Sequence, residues 1–320
     1  MAVYTHVGSE DVSGLLEQYG IGPLESVKGI AEGVENSNYL LHAGGQNYIL
    51  TLYEKRVDVD DLPFFIALID HLYDAGLPVP RILPDLSGSH VQSLCSRPAC
   101  LIQFLNGVSV ERPTSRQFWS VGQALARMHN ALSDFDGARP NTLSLSGWND
   151  LAASMAGQFD AIAPGLESEV TAELAYLSAH WPKDLPQSVI HADLFPDNVL
   201  MSGEDVTGLI DFYFACRDIT AYDYAVTHGA WCFSADGSHY QPQFAASLSK
   251  GYINERPLSE AERAALPTLA RGAALRFLLT RAYDWLNTPA DALVARKDPL
   301  AYLRRLQFYR SADAAAILGE

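Results

Sequence analysis

The stretch His191-Ala192-Asp193-Leu194-Phe195-Pro196-Asp197-Asn198, with Ile210-Asp211-Phe212 close behind it, constrains this chain more than any other feature. It follows the pattern H-x-D-L-x-x-x-N, and its flanks set the local fold. Ser188-Val189-Ile190 reads as a strand leading in, and Val199-Leu200-Met201 as one leading out. Ser202-Gly203-Glu204-Asp205 turns the chain, and Val206 to Ile210 returns it to Asp211. Asp193, Asn198 and Asp211 thus fall at two ends of one hairpin. Such a set suits phosphoryl transfer, which needs a positioned hydroxyl and neutralised phosphate oxygens more than covalent help. In that pattern the first Asp takes the hydroxyl proton, while the Asn and the second Asp hold magnesium. Asp and Asn also bond their own backbone in plain turns, but an ordinary turn does not explain the hairpin and the second acid together. The combination points to transfer from ATP to a small alcohol.

Composition narrows the setting. The chain has 320 residues, enough for two separate cores, and 48% of them are hydrophobic. No run approaches the ~18 unbroken apolar residues of a membrane helix. The segment Met1-Ala2-Val3-Tyr4-Thr5-His6 lacks the basic-then-apolar order of a secretory signal. Four cysteines (Cys95, Cys100, Cys216, Cys232) form no C-x-x-C pair, which suits reduced thiols in a cytoplasmic protein. A formal net charge of −16 repels nucleic acid and anionic membranes, leaving small molecules as the expected partners.

Strand patterns dominate the first hundred residues: Glu25 to Ile30, Asn38 to His42, Asn47 to Tyr53 after Gly44-Gly45, and Ala99 to Leu105. One helix is expected from Asp60 to Tyr73, with Pro63 in its first turn. Asn106-Gly107 reads as a hinge. Beyond it Thr114-Ser115-Arg116-Gln117 fits a capping box opening a helix with Phe118, Val121, Leu125, Met128 and Leu132 at core spacing. Further helices are expected near Leu166 to Trp181, Asp223 to Trp231, Ala261 to Trp285 and Leu300 to Leu318. The expected fold is α+β and protein kinase-like. A nucleotide-binding, β-rich lobe spans residues 1–105, and a helical lobe at 106–320 carries catalysis and the alcohol.

Between the first two strands, the turn from Lys28 through Gly29 and Gly33 to Asn36-Ser37-Asn38 is a candidate cradle for ATP phosphates. It is neither a Walker A loop nor G-x-G-x-x-G. In Tyr48-Ile49-Leu50-Thr51-Leu52-Tyr53 the position where kinases of this pattern carry a lysine is Thr51. Lys28, Lys55 and Arg56 are candidates for the missing cation, with Asp61 and Asp70 as helix partners. Thr51 itself offers a hydroxyl to a phosphate oxygen.

At these residues the chain resembles the choline kinase and aminoglycoside phosphotransferase superfamily. Ala124-Leu125-Ala126-Arg127-Met128-His129, His191 to Asn198, Ile210-Asp211-Phe212 and Ala221-Tyr222-Asp223 carry the likeness. Within it, the chain looks most like the kinase-fold homoserine kinases. That closer likeness lies in Gly29 to Tyr39, Tyr48 to Glu54 and Ala274-Leu275-Arg276-Phe277. The resemblance implies Mg²⁺- and ATP-dependent phosphorylation of the L-homoserine hydroxyl, a step toward threonine. Carried over, Asp193 is the base, Asn198 and Asp211 bind magnesium, His191 orients the loop, and Asp223 anchors it.

A zwitterionic alcohol needs a cation for its carboxylate. Arg276 and Arg281 lie on one late helix and are candidates, with an Arg281–Asp284 helical pair as the structural alternative. Tyr213, Trp231 and His228 are candidate lining residues. Choline would instead call for an aromatic cage, for which Tyr213, Tyr224 and Trp231 are available. An aminoglycoside would be drawn to an acidic cleft. The absent lysine also leaves open a kinase-like binding protein without catalysis.

Overall fold

Alternating apolar residues in the first hundred positions fold as an antiparallel sheet ordered β1-β2-β3-β5-β4. Its strands are β1 (Leu24–Ile30), β2 (Asn36–Ala43), β3 (Gln46–Tyr53), β4 (Gln92–Leu94) and β5 (Arg97–Gln103). The computed structural model describes residues 4–30, 36–54, 58–288 and 296–320. They divide into two units, Met1–Gly107 with Thr207–Tyr213, and Val108–Val206 with Phe214–Glu320.

In the first unit the sheet register sorts side chains by face, because directly paired residues point the same way and neighbours along a strand alternate. One face carries Tyr39, Leu41, Leu50, Leu52, Ala99 and Leu101, buried against Val12, Leu15 and Leu16 of helix α1 (Ser9–Gln18). That helix was not anticipated, since Gly14 and two serines dilute its pattern to an i, i+3, i+4 triplet. Lys28, Asn38, Thr51 and Cys100 fall on the opposite face. The expected helix at Asp60 opens as a 3₁₀ turn and continues as α2 (Leu62–Asp74) with Pro63 in its first turn.

The second unit is mainly helical: α3 (Ser115–Ala131), α4 (Leu145–Ser154), α5 (Leu166–His180), α6 (Thr220–Trp231), α7 (Pro242–Glu255), α8 (Glu260–Asn287), α9 (Leu300–Ser311) and α10 (Ala314–Leu318). The capping box at Thr114 forms as expected, its hydroxyl accepting from Gln117 N and the Gln117 side chain accepting from Thr114 N. Helices α4 and α7 were missed, and the run expected from Leu300 to Leu318 breaks where Asp313 caps α10. Two small sheets complete the fold. Strand β6 (Gln187–Ile190) pairs with β9 (Cys216–Ile219), and β7 (Val199–Ser202) with β8 (Asp205–Leu209).

Helices α3 and α7 cross at two glycines. A Cβ on Gly122 would meet the Leu248 carbonyl oxygen at 2.0 Å, and one on Gly251 the Trp119 carbonyl oxygen at 2.0 Å. Only a backbone without side chains permits that approach. Gly122→Ala is therefore expected to lower stability by roughly 1–3 kcal/mol, as overpacking does. A urea midpoint equal to the parent's would show that the helices can part at no cost.

Candidate active site

The loop after β6 is built around a strained residue. Ala192 has φ +64°, a left-handed conformation that costs a non-glycine residue roughly 1–2 kcal/mol. The groups around it supply the compensation. Asp223, fully buried at the start of α6, accepts the N–H of His191 through Oδ2 and that of Ala192 through Oδ1, each at 2.8 Å. Arg276 of α8 donates through Nη1 to the Ala192 carbonyl. The Asp193 N–H donates to Nδ1 of the buried His191 ring at 3.3 Å. Asn198 Nδ2 donates to the Asp193 carbonyl at 2.8 Å, and Trp231 Nε1 to the Leu194 carbonyl at 2.8 Å. Each backbone group from His191 to Leu194 named here is tied to a side chain, so the direction of Asp193 is set by its whole surround.

Asp223 is itself held. His129 of α3 reaches its Oδ2 at 3.0 Å through Nε2 and Tyr252 at 2.8 Å through Nδ1. Arg256 Nη1 donates to the Tyr252 hydroxyl at 3.2 Å, and Arg256 Nη2 to Glu262 at 2.6 Å. Burial alone would push the Asp223 carboxyl up. The hydrogen bond and charge of His129, the charge of His191 and the His191 amide outweigh that and leave it below its ordinary range. Asp223 accordingly stays an anion without solvent. The segments Ala124 to His129 and Ala221 to Asp223 carried the family likeness in sequence but did not announce the contact between them; Tyr252, Arg256 and Glu262 did not stand out, because their separation along the chain hides the contact.

The substrate candidates part company. Arg276 is 2% exposed, close to the rings of Phe214 and Phe277, with its bond inside the loop. Arg281 is half-buried, lies over the Tyr302 ring, and donates through Nη1 to the Asp298 carbonyl at 3.2 Å. Burial pulls its guanidinium down, and the Asp193 carboxylate is among the groups that pull it back up. Lys297 lies 5.8 Å from the centre of the Phe195 ring. Trp231 supports the loop from within the core and does not line a surface. Tyr224 and His228 are buried too, bonded to Ser249 and Tyr309, so Tyr224 offers no cage wall and the lining candidate His228 faces the core.

In the first unit Tyr213 packs edge-on against Tyr53 and Phe65, its hydroxyl 3.0 Å from that of Tyr53. Asp211 is exposed with φ +66°, above a buried Phe212. Of the expected phosphate cradle, Gly33 lies outside the described residues, as do Lys55 and Arg56. Thr51 is buried and donates to Asn38 Oδ1 at 2.7 Å across the β2–β3 pair, and Lys28 is exposed on that same face. Asn36 pairs with Tyr53 and shares it. Ser37 does not. Strand alternation turns it to the opposite side, where its hydroxyl donates to Glu54 at 2.6 Å and accepts from the amides of Tyr4 and Thr5. Asp70 is engaged by Arg81 at 2.8 Å.

Two residues, each within its own unit, offer oxygen donors of the kind that magnesium takes. Asn198 commits its nitrogen to Asp193, which leaves its amide oxygen as the ligating end. Asp211 offers an exposed carboxylate. Magnesium takes oxygen donors and needs few from protein when phosphates supply the rest.

Residues 26–265 match the Phosphotransferase enzyme family. The chain belongs to that family. Among curated phosphotransferase relatives, the homoserine kinase of Rhizobium rhizogenes is 53% identical over 319 residues, covering 100% of this chain and 99% of its own. That of Agrobacterium fabrum is 52% identical at the same coverage. Solved phosphotransferases share the fold at low identity. An amicoumacin kinase in complex with AMP-PNP matches with a TM-score of 0.73 at 16% identity, over 97% of this chain and 95% of its own. A spectinomycin phosphotransferase in complex with ADP matches with 0.69 at 15%, over 98% of each. The α+β, kinase-like expectation is thereby met, and no helix among the described residues is long and apolar enough to cross a membrane.

Proposed function

We infer that the protein is a homoserine kinase, transferring the γ-phosphoryl group of ATP to the side-chain hydroxyl of L-homoserine and yielding O-phospho-L-homoserine for threonine synthesis. The observation that carries this is identity of 53% to a homoserine kinase along the whole chain. Asp193 takes the hydroxyl proton as oxygen attacks phosphorus, from a loop whose backbone is fixed on several sides. Magnesium, when bound with ATP, neutralises the phosphate oxygens; Asn198 and Asp211 are the residues we assign to hold it. Residues 1–105 serve the nucleotide, with Lys28, Asn36, Asn38 and Thr51 on one sheet face toward its phosphates. Residues 106–320 carry the base and the alcohol. We place the reaction in the cytoplasm, in keeping with four free cysteines, three of them buried.

Arg281 is the grip we assign to the homoserine carboxylate, since it is half-buried and within electrostatic reach of Asp193. Losing a charged hydrogen-bond partner costs about 1.5–3 kcal/mol, so Arg281→Ala should raise the KM for homoserine roughly 10–100-fold and leave that for ATP near the parent's. In the same coupled assay, homoserine methyl ester should be a poor substrate, and choline and kanamycin poorer still. Faster turnover of choline or kanamycin than of homoserine would overturn the substrate assignment while keeping the phosphotransferase.

A further inference from the structure

We propose that Arg276 is a positioning residue, whose guanidinium holds the Ala192 carbonyl and so fixes the left-handed turn that directs Asp193. This rests on the reading of Asp193 as the base. The peptide joining Ala192 to Asp193 is gripped at both ends: its carbonyl by Arg276 Nη1, its N–H by His191 Nδ1. The peptide before it donates to Asp223. Rotating φ of Ala192 from +64° toward the ordinary negative region would swing that carbonyl away from Arg276 and carry the Asp193 side chain with it.

Placement on α8 makes Arg276 a rigid support. It is 2% exposed and lies between Phe214, 5.4 Å from the guanidinium carbon, and Phe277 at 4.6 Å. Its charge bears on Asp218 and on the Tyr222 hydroxyl. A guanidinium so enclosed cannot present its fork to an incoming carboxylate, which separates its task from that of Arg281. Lysine cannot take its place, since an ammonium on a flexible stem lacks the planar donor geometry.

The test compares Arg276→Ala and Arg276→Lys with the parent, using kcat and KM for both substrates and hydrogen exchange of the peptide covering 188–199. Arg276→Ala should cut kcat at least tenfold and change the homoserine KM less than threefold. It should also speed exchange in 188–199 but not in 115–131. Guanidinium ion at tens of millimolar, below denaturing levels, should restore part of the kcat and slow the exchange again; Arg276→Lys should restore little. A raised homoserine KM with kcat intact would make Arg276 a substrate contact and overturn the proposal. Lost thermal stability with unchanged loop exchange and no rescue would overturn it as well. The exchange readout stands even where homoserine is not the substrate, so failure of the functional reading and failure of this proposal give different results.

Discussion

Asp193→Asn is expected to lower kcat by about 10²–10⁴-fold, the usual contribution of a general base, with the fold and Mg·ATP affinity left near the parent's. The amide matches the carboxylate in size. The loop's bonds to Asp223, Arg276 and Trp231 run through backbone atoms and do not need the Asp193 charge. The contact from Asn198 Nδ2 to Asp193 Oδ2, at 3.4 Å, does involve the altered group, and an amide oxygen can accept it equally. Single-turnover rates at saturating homoserine, with calorimetric Mg·ATP binding alongside, separate chemistry from binding. A rate within tenfold of the parent's would remove Asp193 as the base. Equal loss of nucleotide affinity would move its role to the metal.

The second large effect is on stability, and it comes from a core residue with no assigned part in the chemistry. His228 of α6 is fully buried among the rings of Phe233, Tyr240 and Tyr309, with Nδ1 at 2.7 Å from the Tyr309 hydroxyl. Burial pulls its pKa from the ordinary 6.5 to about 3. The unfolded chain therefore binds a proton between those values that the folded chain refuses. Stability is full above pH 6.5 and falls as pH drops through the window down to about 3. The slope approaches about 1.4 kcal/mol per pH unit, so roughly 2 kcal/mol should be lost between pH 7 and pH 5 from this group. His228→Gln keeps a polar partner for Tyr309 and cannot titrate, so its urea midpoint should fall less steeply over that range. Parallel curves for variant and parent would show that the His228 ring is solvated when the protein is folded.

His228 also marks where reading the sequence stops. In sequence it and Trp231 were candidates for lining a substrate pocket, with the core as the alternative, and both lie in the core. Their spacing on α6 says nothing about which neighbours surround them, since Tyr309 and Leu194 are remote in the chain. Arg276 and Arg281 looked alike for the same reason. Five residues apart on one helix, they meet different environments, one sealed against the Ala192 carbonyl, the other half-open near Asp193.

What the chain order alone determined was the set of local signals. Strand alternation in the first hundred residues, the capping box at Thr114, the turn at Gly203 and the spacing of Asp193, Asn198 and Asp211 are all written within a few residues of one another. They sufficed for an α+β, kinase-like fold and for phosphoryl transfer. Strand alternation even contained the fate of Ser37, but β2 begins two residues earlier than its pattern suggested, and only the pairing with Leu52 turned Ser37 inward. Tertiary structure decided the rest. Asp223 and His129 clamp the loop, Arg276 grips its carbonyl, and Gly122 and Gly251 let α3 and α7 touch. Each of these contacts joins residues far apart in sequence, and their energies depend on burial and on distances of about 3 Å, which no local pattern encodes.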